Sequence, residues 1–512
     1  MEKIIVLDFG SQYSQLIARR IRECHVYSQI MPFGTSAEEI RGEAPKGIIL
    51  SGGPASVYAE NAPKCDPKIF DLGVPVLGIC YGLQLTLYTF GGTIARSAAR
   101  EYGKAELRIT APSPLFDGLP PTIEVWMSHG DKVTELPPAG AEILGESGNT
   151  RYCALKLKGR EIYGIQFHPE VAHTPRGREI LNNFCTKICG CSGSWRMSSF
   201  VERSVAEIRE KIGHSKVILG LSGGVDSSVA AALIHRAAGD QLHCIFVDNG
   251  LLRKNEPQRV RELFGRAFKM KLTCVDASKR FMEKLAGVDD PETKRKIIGR
   301  EFVGVFDEAA AGISDAEFLA QGTTYPDVIE SISIAGNPSA LIKSHHNVGG
   351  LPRGMKFKLL EPLKCLFKDE VRELGRELGL PEDAVMRQPF PGPGLAVRHL
   401  GAVTPETLEI LRNADEIVTE EIRKAGFYQK VWQSFAVFLP VRSVGVMGDE
   451  RSYDWCIALR TVESSDGMTA DWAELPYPVI RRISARITNE VAGVNRVVYD
   501  VTSKPPATIE WE

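Results

Sequence analysis

The sequence has no apolar run approaching the roughly eighteen residues of a membrane span, so no membrane-crossing helix is expected. It also lacks an excess of charge. Its 62 Lys and Arg face 64 Asp and Glu, leaving a formal charge of −2, so the global basic field of a nucleic-acid protein is missing and no nucleic-acid partner is expected. The start of the chain lacks the layout of a signal peptide, because Met1–Leu7 enters a strand-like run at once. Eleven cysteines in 512 residues are too sparse for a disulfide scaffold, which implies reduced thiols and a cytoplasmic location. What remains is an ordinary globular composition in a chain too long for one core, so about two to four domains are expected.

A further absence is informative. The stretch Ser222-Gly223-Gly224-Val225-Asp226-Ser227-Ser228 follows the apolar run Val217–Leu221 and precedes an alanine-rich helical pattern. Strand, glycine loop and helix form a phosphate site, with free N–H groups at the helix start and no Cβ at two adjacent positions. Yet the lysine of the G-x-x-x-x-G-K-[ST] loop is missing. In its place stands Asp226, an acid that would repel a polyanion unless a hard cation such as Mg²⁺ lay between them. The bland alternative is a capped glycine turn. The seven-residue string resembles the pyrophosphate loop of the N-type ATP pyrophosphatases, which implies ATP cleavage between the α and β phosphates and a role for all of Ser222–Ser228, with Asp226 on the metal.

Residues 1–194 alternate short apolar strands (Ile4–Leu7, Gly47–Leu50, Val74–Ile79) with helical stretches, the pattern of an α/β domain with a mostly parallel sheet. The third strand runs into Cys80, with Gly78 and Gly82 two residues to either side. That is the spacing of a nucleophile elbow, where the chain doubles back and exposes one side chain. A helix N-terminus favours the anionic, reactive form of a thiol. The alternative is a buried structural cysteine. A thiolate nucleophile needs a base and the base an orienting group. His168-Pro169-Glu170, at the end of the strand-like Tyr163–Phe167, offers both.

G-x-C-x-G-x-Q followed by H-P-E is similar to the class I glutamine amidotransferases. The resemblance implies that Cys80 attacks the side-chain amide of L-glutamine, with His168 as base and Glu170 orienting it. It also implies an oxyanion loop at Ser51–Pro54, with the N–H groups of Gly53 and Tyr81 on the developing charge, and glutamine contacts from Gln84, Ser128 and His129, with a structural role as the alternative for the last. Cys185, Cys189 and Cys191 crowd the end of this segment without a matching second pair, so they are not read as a zinc site.

Residues 195–387 hold the phosphate loop and two more strand–turn units, His243–Gly250 and Phe318–Ser331, which together imply a parallel doubly wound sheet. Nucleotides bind such sheets at the carboxyl ends of their strands, near Val247 here. Asp327 and Glu330 lie three residues apart, where acids often begin a solvated helix. The order Q-G-T, Y-P-D, E-S again matches the pyrophosphatases, which implies that Gly322, Asp327, Glu330 and Lys343 serve Mg²⁺–ATP. The charged stretch Asp289–Glu301 reads as a solvated face or as a lid carrying Arg300.

Gln388–Leu395, with three prolines and two glycines, is a domain junction. Residues 388–512 mix a helix over Pro405–Lys424 with strands over Ser434–Leu439, Tyr453–Arg460 and Arg496–Val501, an α+β pattern. The tail Lys504–Glu512 is restricted by proline and carries Ile509 and Trp511, which favour burial. The P-F-P-G-P-G-L junction and the K-P-P-A-T-I-E-W-E tail resemble the glutamine-hydrolysing GMP synthetase family, and the resemblance covers essentially the whole chain. It implies an α/β architecture of two doubly wound parallel-sheet domains, 1–194 and 195–387, plus a smaller α+β dimerisation domain, 388–512. It implies that ATP adenylates XMP and that ammonia from glutamine then gives GMP. Arg300, Gln433, Arg496, Lys504, Ile509 and Glu510 would hold XMP. Mg²⁺ would accompany ATP, no prosthetic group is implied, and the assembly would be a homodimer. A tRNA-thiolating enzyme on the same loop would need a basic face and no glutaminase. A non-catalytic sensor would be expected to lose a catalytic residue, and none is lost.

Overall fold

The computed structural model describes residues 1–54, 56–331, 357–447, 450–464 and 467–512. It comprises two compact units, Met1–Phe200 and Val201–Glu512.

The first unit is built on strands β1 (Lys3–Asp8), β2 (Tyr27–Pro32), β3 (Gly47–Leu50), β4 (Val76–Ile79), β5 (Thr93–Ile109), β6 (Thr122–Glu135), β7 (Ala141–Glu146), β8 (Ala154–Leu157) and β9 (Ile162–Ile165). They form one sheet in the order β2-β1-β3-β4-β9-β8-β7-β5-β6. The first five are mutually parallel. Both β3 and β4 are buried at every position, as expected of parallel strands covered on both faces. The other four continue the sheet antiparallel. This extension is not anticipated above, because β6 alternates between buried and exposed residues and so lacks the continuous apolar run that marks the central strands.

The second unit carries a five-stranded parallel sheet in the order β12-β11-β10-β13-β14, from β10 (Lys216–Gly220), β11 (Leu242–Asp248), β12 (Lys271–Asp276), β13 (Ala316–Ala320) and β14 (Lys358–Leu360). The chain moves outward from β10 to β12 and returns to the other side of β10 as β13. The crevice between the carboxyl ends of β10 and β13 is therefore a topological switch point, where such sheets bind ligands.

A second sheet in this unit joins β15 (Gln433–Met447), β16 (Glu450–Glu463), β17 (Asp471–Trp472) and β18 (Val494–Tyr499). The β15–β16 pair is an antiparallel hairpin and β18 pairs parallel to β16. Period-2 alternation gives β15 two buried faces. Ala436 and Phe438 join Leu411 and Val418 of the helix Pro405–Lys424 in a core that also holds Ile218 and Val247 of the parallel sheet. Phe435 and Val437 face the other way, onto Ala470 and the tail residue Ile509. The shared first core explains why the two sheets make one compact unit. The helix Pro405–Lys424 has the predicted bounds, with proline at its first turn and Thr404 capping it.

Candidate functional site

Cys80 caps the helix Tyr81–Thr89 with φ +52° and ψ −104°, a conformation that L residues rarely hold. The flanking glycines make the turn possible. A Cβ on Gly78 would lie 2.6 Å from the backbone of Gly82, and one on Gly82 would lie 2.4 Å from the Leu50 carbonyl oxygen. The thiol is buried, with Ser128 O at 3.7 Å from Sγ and Gln166 Nε2 at the same distance. Gly52 fills the remaining side, since a Cβ there would lie 3.2 Å from His168 Cε1 and 3.8 Å from Cys80 Cβ.

The imidazole of His168 is held on several sides. Nδ1 lies 2.7 Å from Glu170 Oε1, and the edge of Tyr13 packs on the ring at 5.3 Å. The His168 N–H donates to Trp126 O and its carbonyl accepts from Thr174 Oγ1. Burial alone lowers the pKa of the ring. Hydrogen bonds to Cys80 and Glu170, together with their negative charges, outweigh burial and raise it to about 10. Histidine, carboxylate and thiol thus form one coupled buried group. Such a group can supply a nucleophilic sulfur beside a proton carrier.

The other residues assigned in this unit sit close by. Gln84 Nε2 donates to Asp131 O at 3.1 Å and to Gln166 Oε1 at 3.3 Å. Gly53 packs where a Cβ would stand 3.3 Å from the Tyr81 ring. Ser128 contributes its carbonyl to the thiol. His129 has Nδ1 against Asp131 O at 2.9 Å and Nε2 3.4 Å from Glu101, so both ring nitrogens face protein. Gln166 and Tyr13 were missed. Gln166 had a readable signal, being two residues before His168 at the end of β9.

In the second unit, Gly224 caps the helix Val225–Ala238 and Gly223 takes φ +75°. The Ser222 and Ser227 hydroxyls lie 2.9 Å apart, and Ser228 Oγ donates to Gly224 O at 2.7 Å. A Cβ on Gly322 would lie 3.1 Å from the Asp226 backbone, so the loops after β10 and β13 meet at the switch point. Val247 is buried at the end of β11. Asp327 Oδ2 accepts from the Thr324 N–H and hydroxyl, both at 2.8 Å, and so caps its own helix Tyr325–Ser331. Glu330 lies on that helix, its side chain outside the described residues, as is the whole of Lys343.

Two cations reach the Ser222–Ser228 loop from distant sequence. Lys368 pairs with Asp226 Oδ2, while Asp226 Oδ1 is buried without a hydrogen-bond partner among the described residues. Arg387 donates to Gly223 O at 2.8 Å. Lys368 had a signal, since a lysine at a helix N-terminus opposes the helix dipole and calls for an acidic partner. Arg387 had none.

The tail is woven into the fold. Arg398, fully buried, grips Glu510 with two parallel bonds of 2.9 and 2.8 Å. Gln433 donates to Glu510 Oε1 at 3.2 Å, so these two predicted residues meet. Lys504 exchanges backbone bonds with Ala470, which also packs against Ile509. Arg496 is exposed on β18 and donates to Ser443 Oγ, and Arg300 is exposed on the helix Pro291–Ala311. That helix corrects the reading of Asp289–Glu301 as a merely solvated face. Lys294 is fully buried there, with Nζ on Glu512 Oε2 and on the His399 and Ala396 carbonyls, three partners that offset its desolvation.

A strained cysteine on the parallel half of one sheet and a serine–glycine turn on a second, parallel sheet fit a glutamine amidotransferase joined to an ATP-using domain. Residues 5–188 match the class-I glutamine amidotransferase family, 196–284 the NAD synthase family and 420–511 the GMP synthase C-terminal domain. The chain is 59% identical over 512 residues to a GMP synthase (glutamine-hydrolyzing) of Brachyspira hyodysenteriae, covering 100% of this chain and 99% of that one. It is 58% identical over 513 residues to the enzyme of the same name from Heliobacterium modesticaldum, with the same coverage. The chain belongs to the glutamine-hydrolysing GMP synthase family.

Proposed function

We propose that this chain makes GMP from XMP, ATP and L-glutamine, with Cys80, His168 and Glu170 producing ammonia and the Ser222–Ser228 loop activating XMP. The Cys80 thiolate attacks the glutamine carboxamide and forms a thioester. His168 delivers its proton to the departing ammonia, and water then releases glutamate. Gly53 and Tyr81 N–H groups receive the oxyanion, and Gln84, Ser128 and His129 shape the glutamine pocket. The observation that carries this half is a cysteine at φ +52° coupled to an imidazole whose far nitrogen meets a carboxylate at 2.7 Å.

In the second unit the XMP C2 oxygen attacks the α-phosphorus of ATP and pyrophosphate leaves. Ammonia then displaces AMP at C2 and gives GMP. The loop N–H groups and serines bind the leaving pyrophosphate, with Val247, Gly322, Asp327, Glu330 and Lys343 completing the ATP site. Arg300, Gln433, Arg496, Lys504, Ile509 and Glu510 hold XMP. Asp226 fits a Mg²⁺ ligand, because its Oδ1 is buried and unpartnered among the described residues. Mg²⁺ commonly takes one carboxylate and fills its other positions with phosphate oxygens and water. When bound it would neutralise charge on the leaving group.

The division 1–194, 195–387 and 388–512 remains our reading of the functional parts. A homodimer through the last part is supported by the β15–β16 hairpin, where Val444 stands opposite Tyr453 and both are exposed, as are Val441 and Val446. A cytoplasmic location is supported by eleven cysteines that are all free thiols. No helix among the described residues is long and apolar enough to cross a membrane.

Cys80→Ala tests the reading. GMP formation from glutamine should fall by at least about a thousandfold, as for other nucleophile deletions. Synthesis from ammonium chloride should persist and rise with pH as free ammonia increases. Glutamine use near the parental rate would overturn the assignment.

A further inference from the structure

Arg387 stands just before the proline-rich junction, and nothing above gives it a task. Its guanidinium donates to the carbonyl of Gly223 and pairs with Glu256, which begins the short helix Glu256–Val260. The two side chains are largely buried, at 19% and 5% exposure. Glu256 is itself fixed, accepting from the Arg253 N–H at 3.3 Å. The packing is close. A Cβ on Gly223 would lie 3.1 Å from Val260 Cγ2, 3.4 Å from the Arg387 nitrogen and 3.5 Å from Glu256 Oε1.

The grip has a directional consequence. In a trans peptide the C=O of one residue and the N–H of the next point opposite ways. Holding the Gly223 oxygen down on Arg387 therefore turns the Gly224 N–H into the loop, where it donates to Ser222 Oγ at 3.3 Å. Left-handed glycine costs little to rotate, so without the guanidinium this peptide plane would be left to the longer bond from the Gly224 N–H to Ser222 Oγ.

Arg387 also leads directly into the segment that touches the tail. Two residues on, Pro389 O accepts from Gln433 Nε2 at 2.9 Å, and the same amide reaches Glu510. Phe390 lies among three guanidiniums, with Arg253, Arg398 and Arg387 at 5.1, 5.2 and 6.0 Å from its ring centre. A short bonded path thus runs from the phosphate loop through Arg387 and Pro389 to Gln433 and Glu510.

We propose that Arg387, braced by Glu256, is a positioning residue for adenylation: it sets the Gly223–Gly224 peptide toward the departing pyrophosphate and ties that peptide to the segment bearing the XMP site. The inference rests on reading Ser222–Ser228 as the pyrophosphate loop. It is tested by steady-state kinetics with ammonium chloride as nitrogen donor, together with inhibition by inorganic pyrophosphate. Arg387→Met should lower kcat about thirtyfold, within the range for a misplaced catalytic element, and weaken pyrophosphate inhibition about tenfold, while KM for XMP changes less than about threefold. Arg387→Lys keeps the charge opposite Glu256 but loses the planar fork. It should restore the melting temperature and leave kcat at least about fivefold low. If Arg387→Met fails to fold, the Lys variant carries the test. Parental kcat and pyrophosphate inhibition in the folded variants would overturn the proposal, as would losses matching a reduced folded fraction. Asp226→Asn separates the two levels. If it stays active, the loop assignment itself fails; if it is dead while the folded Arg387 variants are normal, only the present inference fails.

Discussion

The Cys80 turn and the Ser222–Ser228 loop are both strand-to-helix junctions, yet they are made in different ways. At Cys80 the backbone carries the constraint. The residue holds a positive φ, two glycines accept contacts no Cβ could, and the acting side chains come from two strand ends. At Ser222–Ser228 the backbone is easier, with glycine at the one positive φ. What holds that loop is charge brought from afar, since Lys368 lies 142 residues from Asp226 and Arg387 lies 164 residues from Gly223. Cys80, His168 and Glu170 are almost wholly enclosed, whereas Asp226 and Lys368 keep 31% and 45% of their side chains exposed. Under the proposed function, a nucleophile that attacks a neutral amide is set by strain and dryness, and a loop that admits and releases a polyanion is left open and tuned by counter-charges.

That contrast can be broken in three places. The largest effect belongs to Asp226→Asn, which removes the charge that Lys368 answers and that Mg²⁺ would use. Ammonia-driven GMP synthesis should drop about a thousandfold, as when a preorganised electrostatic group is lost. Cys80 should remain open to alkylation by iodoacetamide, read by mass spectrometry. Near-normal synthesis would mean that charge does not govern this loop. Next comes Gly82→Ala. Its methyl would meet the Leu50 carbonyl oxygen at 2.4 Å, a contact that cannot relax without moving β3. Urea unfolding of the first unit should show a loss of about 3 kcal/mol, the upper range for overpacking. A loss under about 1 kcal/mol would show that the turn is not held by close approach.

The smallest effect sharpens the electrostatic side. His168 has a raised pKa, so its charged form adds stability that is fully present below the ordinary value of 6.5 and is lost as pH rises through about 10. Glu170→Gln removes the carboxylate charge, one of the causes of that rise. The alkaline limb of glutamine hydrolysis should move down by about one pH unit, while ammonia-driven synthesis keeps its profile. An unmoved limb would separate Glu170 from the titration.

Both motifs were legible because each is a contiguous string whose spacing carries the geometry. Gly78-Ile79-Cys80-Tyr81-Gly82 announces a doubled-back turn, and Ser222–Ser228 after an apolar run announces a strand, glycine turn and helix. The parallel strands were legible for a related reason, being buried on both faces and therefore continuously apolar. What stayed hidden was contributed across long separations. Arg387 and Glu256 look like ordinary surface charges in sequence, because only the fold makes them neighbours. Lys294 sits in a run of charges and is nevertheless among the most enclosed side chains, since its partners are two carbonyls and a tail carboxylate. The antiparallel extension β5–β8 was missed because half-buried strands dilute their apolar signal with polar residues.

The seating of the tail also imposes an order on synthesis. Lys294 emerges from the ribosome 218 residues before Glu512, and Arg398 emerges 112 residues before Glu510. At about 5–20 residues per second, the lysine waits roughly 10–45 s for its counter-ion. During that interval Lys294 lacks its carboxylate partner, so the packing around it stays unfinished until Glu512 arrives.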